Sequence, residues 1–102
     1  MARDPWAYRE VAVESVLDAR TGALRIRPVA GQAYATSMRV QCSRTLRDPD
    51  LYPAGTRFLI RAKLTDRMGG APYLYAHHGD PVKLLSAREA ESFLDEYRRR
   101  RI

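Results

Sequence analysis

The sequence predicts an α+β domain: a small antiparallel β-barrel or curled sheet of five to six strands, OB-like or SH3-like in element order, with one C-terminal α-helix. Three observations carry that expectation. Apolar Phe58, Ile60, Ala62 and Leu64 alternate with Arg61 and Lys63, the period of two that marks a half-buried strand. The same alternation recurs at Leu24 to Arg27 and at Met38 to Gln41. Near the end, Ala90, Phe93, Leu94 and Tyr97 fall at helical spacing behind a capping box made by Ser86 and Glu89.

The elements follow in order. Glu10 to Asp18 places Val11, Val13 and Leu17 on one side and Glu10, Glu14 and Asp18 on the other, a first strand. Thr21 and Gly22 turn the chain. The returning Leu24 and Ile26 alternate with Arg25 and Arg27, so outward carboxylates meet outward guanidinium groups across the hairpin. Pro28 to Gln32 interrupts the ladder, because proline lacks the backbone donor. A third strand is expected over 33–43, with Tyr34, Thr36, Met38, Val40 and Cys42 in the inward phase. Asp48, Pro49, Asp50, Pro53 and Gly55 make the next stretch a surface loop with room for one helical turn.

Thr56 to Thr65 is the strongest strand. It returns through a hairpin at Asp66 to Ala71, with Gly69 and Gly70 able to take positive φ, into Pro72 to His77. Val82 to Leu85 adds a short last strand before the helix. The first strand and the Val82 segment are expected at the sheet edges, where a partner's strand is able to add. The acids of the helix lie near its start and the arginines Arg98 to Arg101 at its end, complementing its dipole.

A chain of 102 residues is one domain, since halves of it would bury too little surface to fold. Its expected parts are an N-terminal arm at 1–8, a barrel at 9–85 and the helix at 86–100. Trp6 and Tyr8 in the arm are expected to anchor it against the core. No run approaches the roughly 18 apolar residues of a membrane helix, so no membrane partner is expected. An acid and a proline interrupt the first nine residues, where a secretory signal carries its apolar block, and the lone Cys42 forms no internal disulfide. A cytoplasmic protein is the expectation.

Net charge is +6, but Arg98, Arg99, Arg100 and Arg101 supply four of those charges. Residues 1–97 hold 14 basic against 12 acidic side chains, a body of only +2. Arginine outnumbers lysine 16 to 2, a bias that suits phosphate recognition and also follows from GC-rich, bacterial-like coding.

The functional expectation is a non-enzymatic binding module for single-stranded nucleic acid. Arg25, Arg27, Arg39, Arg61 and Lys63 would meet phosphate, and Tyr73 and Tyr75 would stack on bases if they share a face with the cations. Arg98 and Arg99 are further phosphate candidates, although on a helix their side chains diverge. The alternative is a protein-interaction or accessory module, including a homodimer through a sheet edge. No cofactor, metal or catalytic residue is expected. His77 and His78 would face opposite sides of a strand, and the acids near them, Asp66 and Asp80, do not complete a ligand set. No nucleophile stands ready for a general base at His77, and Gly69 and Gly70 lack the lysine and serine of a phosphate-binding loop.

Overall fold

The computed structural model describes residues 7–66 and 70–100. Six strands and one helix follow in order: β1 (Arg9–Leu17), β2 (Leu24–Pro28), β3 (Val40–Gln41), β4 (Arg57–Thr65), β5 (Tyr73–Tyr75), β6 (Lys83–Leu85) and α1 (Ala87–Arg100). A single 3₁₀ turn, Arg44–Arg47, lies between β3 and β4. The sheet runs β2-β1-β4-β5-β3, with β6 also paired to β4, and it curls into a nearly closed barrel. The α+β small barrel read from the sequence is what forms. Trp6, Gly69 and Arg101 lie outside the described residues.

β4 is the spine of the sheet because its nine residues offer pairing on both edges. β1 runs antiparallel along one edge, setting Val11 opposite Ile60 and Val13 opposite Phe58. β5 and β6 share the other edge, at the end and the start of β4 respectively. The period of two then points Val11, Val13, Ile26, Phe58, Ile60, Ala62 and Leu74 into one core, joined by Leu46 from the 3₁₀ turn. Phe58 is wholly buried and meets the Tyr52 ring edge-on at 5.1 Å between centroids. Burying a side chain of that size contributes roughly 1.5–3 kcal/mol.

Three sequence expectations are corrected. The third strand is not continuous over 33–43: only Val40–Gln41 pairs, and it pairs parallel to β5 rather than antiparallel. The chain before it turns on itself, Met38 N–H donating to the Ala35 carbonyl at 3.0 Å. Tyr34, Met38, Val40 and Cys42 still pack against the core, which is why the alternation looked like a strand. Second, β1 is not an edge. It sits between β2 and β4, because the long loop after β3 brings the distant β4 onto its free side. Third, His77 and His78 lie past the end of β5 in a turn, so strand alternation does not separate them. Their rings stack at 4.9 Å between centroids, and His77 Nδ1 accepts from the Gly79 N–H at 3.1 Å.

The ladder between β1 and β2 ends at Pro28, opposite Val13. Beyond it the Val29 N–H still donates to the Ala12 carbonyl at 2.9 Å, and a side chain completes the pairing. Gln32 Oε1 accepts from the Ala12 N–H at 2.9 Å, while its Nε2 donates to the carbonyls of Ala12 and Val29, both at 2.8 Å. This loop then meets the helix at Gly31, whose φ of +106° suits glycine, and where an added Cβ would lie 3.6 Å from Leu94 Cδ2. The helix starts as the sequence indicates: Ser86 Oγ accepts from the Glu89 N–H at 3.1 Å, and Glu89 Oε1 accepts from the Ser86 N–H at 2.9 Å. Ala90 is buried on its inner stripe, with Phe93, Leu94 and Tyr97 half-buried beside it. Among the described residues no helix is long and apolar enough to cross a membrane.

Candidate anion-binding seam

The barrel is incomplete between β2 and β3, whose outer edges carry no strand partner among the described residues. A recess of about 340 Å³ opens along that seam. Arg25 and Ile26 of β2 form one wall, and Ser37, Arg39, Val40, Gln41 and Cys42 form the other, with Arg47 of the 3₁₀ turn at the rim. No Asp or Glu is among these lining residues.

Each guanidinium is placed by a separate piece of local structure. Arg25 stands on β2 across from Val16 of β1, a position that offers no carboxylate, whereas its neighbour Arg27 stands across from Glu14. Arg39 precedes β3 and is fixed there because its carbonyl accepts from the Leu74 N–H at 2.9 Å. Its Cζ lies 4.5 Å from the centroid of the Tyr73 ring, a cation–π contact that holds the side chain over β5. Arg47 is carried by a turn whose Leu46 is buried in the core and whose first donor, the Thr45 N–H, reaches Ser43 Oγ at 3.4 Å. None of the three arginines takes part in an ion pair among the described residues.

Cys42 faces this recess without reactive character. Burial pushes its thiol up to about 11, and the nearby Arg47 charge only partly opposes that shift. The inward phase expected for Cys42 from the alternation agrees with that environment.

A second recess of about 580 Å³ adjoins the first, sharing Ser37 and Arg39 and continuing over Met38, Pro72 and Tyr73. Arg39 thus forms a wall common to both. The floor of the two together runs from Ile26 to Tyr73 across the seam.

The other predicted site residues go elsewhere. Tyr73 and Tyr75 do share the outer face with Lys63, which stands directly opposite Tyr75. Tyr73 is only 6% exposed, however, with Arg39 lying over its ring. Arg27 is engaged by Glu14, Nε to Oε2 at 2.9 Å. Arg61 stands opposite Glu10, and Lys63 Nζ sits 5.7 Å from the centroid of the Tyr8 ring. Arg98 reaches Asp95 at 3.4 Å, and Arg99 is exposed on the last turn of α1. The fold therefore gathers Arg25 and Arg39 with Arg47, which sequence reasoning did not single out. Arg47 sits in a breaker-rich loop with no periodicity to give its direction.

Among the described residues no three His, Cys, Asp or Glu side chains gather as a metal-ligand group. No protein-family model matches the chain, and neither a curated protein nor a solved structure matches it.

Proposed function

We propose that the domain is a non-enzymatic binding module for single-stranded nucleic acid, and that the β2–β3 seam is its contact surface. The observation that carries this reading is the seam recess itself: Arg25, Arg39 and Arg47, drawn from separate segments, line one cavity with no Asp or Glu among its lining residues. Arginine forks suit phosphate oxygens, and excluding acids keeps the local potential positive. The apolar floor of the adjoining recess, with Met38 and Pro72, offers a place for a sugar or base.

Fluorescence polarisation with labelled single-stranded oligonucleotides at low salt tests the proposal. Three phosphate contacts give an expected slope of about −2 for log K against log salt. Replacing Arg25, Arg39 and Arg47 together by Gln should remove binding while leaving the melting temperature within a few degrees. Absence of binding at high micromolar protein in low salt overturns the reading.

A second reading, a protein-interaction module dimerising through a sheet edge, is favoured by one observation. β6 pairs only with β4 among the described residues, and its Leu84 is 54% exposed. A strand of a second copy added there would cover that side chain. A monomeric mass in light scattering at high protein concentration removes this version.

A further inference from the structure

Several cations of this domain are already engaged by acids. Arg27 is held by Glu14, Arg98 by Asp95, and Arg100 lies 3.9 Å from Glu96, so these charges are already answered. Arg61 and Lys63 project from β4, on the other flank of β5 from the seam, and Lys63 is drawn toward Tyr8. At the seam three arginines line one cavity without an acid, and a neighbouring cavity that shares Arg47 holds one more, Arg44. A strand of internal phosphodiesters, each carrying a single charge, is served by cations spaced along a groove. A compact recess with three arginines instead suits one concentrated anion.

We infer that the Arg25–Arg39–Arg47 recess is a site for a terminal phosphomonoester, so that the module binds nucleic-acid strands by a phosphorylated end. This rests on the nucleic-acid reading above and narrows it. A phosphomonoester brings a charge of about −1.5 to −2 and three acceptor oxygens near neutral pH, against the single charge of a diester. Charge-assisted hydrogen bonds from three forked donors are able to saturate those oxygens. The recess backs onto Ile26, which is 3% exposed, and onto the half-buried Val40 and Cys42, so the anion would be screened by little water on that side. The remainder of the terminal nucleotide has a direction to leave: the adjoining recess begins at Arg39, whose Cζ lies 4.5 Å from the centroid of the Tyr73 ring.

The test compares one single-stranded DNA sequence, labelled internally, in 5′-phosphorylated, 3′-phosphorylated and unphosphorylated forms, by fluorescence polarisation at fixed salt. One phosphorylated form should bind at least about tenfold more tightly than the unphosphorylated strand, and Arg47→Gln should erase that preference without changing the melting temperature. Inorganic phosphate should compete for the preference in the millimolar range, about the affinity of a lone small anion. Equal affinity for all three strands, with binding retained, overturns the terminal-phosphate site and leaves the nucleic-acid reading standing. No binding of any strand overturns both. Tight binding of a phosphoserine peptide, with every oligonucleotide weaker than it, assigns the recess to phosphoprotein and also overturns the inference.

Discussion

Gln32 completes the pairing of Ala12: its side-chain amide accepts from the Ala12 N–H and donates to the Ala12 carbonyl, at 2.9 and 2.8 Å. Ala12 is wholly buried, so water has no access to satisfy those groups. The Val29 N–H also donates to the Ala12 carbonyl, at 2.9 Å, so the amide's distinct contribution is to bridge the Ala12 N–H to the Val29 carbonyl.

Gln32→Ala should therefore destabilise the fold by about 1–3 kcal/mol, the cost of leaving a buried donor unpaired. Gln32→Glu should be at least as damaging. Its carboxylate still accepts from Ala12 but brings lone pairs against the carbonyls of Ala12 and Val29, where Gln32 now donates. Urea denaturation of the two variants measures this. A loss below about 0.5 kcal/mol for both would show that the bridge is incidental.

Gly31→Ala should cost about 1–3 kcal/mol through its backbone, since φ is +106°. Space is not the obstacle, because the nearest atom to the new Cβ, Leu94 Cδ2, lies at ordinary contact distance, 3.6 Å. The double variant with Leu94→Ala should consequently show no rescue in thermal melts. Rescue would assign the cost to crowding against the helix instead.

The capping box makes stability depend on pH in a defined direction. Hydrogen bonding to Ser86, and to a lesser degree the Lys83 charge, holds the Glu89 carboxyl below its usual range. The folded state thus favours the ionised form, and the contribution is full above the ordinary glutamate value of about 4.3. It disappears as pH falls through the lower folded value. The stability gap between wild type and Glu89→Gln should be present at pH 7 and close in strong acid, as read by melts across that range. Ser86→Ala should cost about 1 kcal/mol at neutral pH.

Cys42 should resist thiol reagents. With its thiol pushed up to about 11 by burial, the thiolate is scarce at pH 8. Alkylation of the native protein should run slower than in urea by about two orders of magnitude or more. Comparable rates in both conditions would mean that the seam opens readily and that the recess is not a preformed cavity.

Much of this molecule is fixed locally and is legible along the chain. The capping box at Ser86 and Glu89, the inward Phe58, Ile60 and Ala62, and the opposed Glu14 and Arg27 each follow from periodicity or from spacing within one element or one short hairpin. Such signals survive because the period of a strand or helix sets side-chain direction before any distant contact forms. Packing decided the rest. The third strand is cut short by a turn, Met38 N–H to the Ala35 carbonyl, and its remaining residues pair with β5, over thirty residues away. That β1 lies inside the sheet depends on β4, which reaches it only across the long loop. The gathering of Arg25, Arg39 and Arg47 arises where the barrel fails to close, and closure is a property of all the strands together.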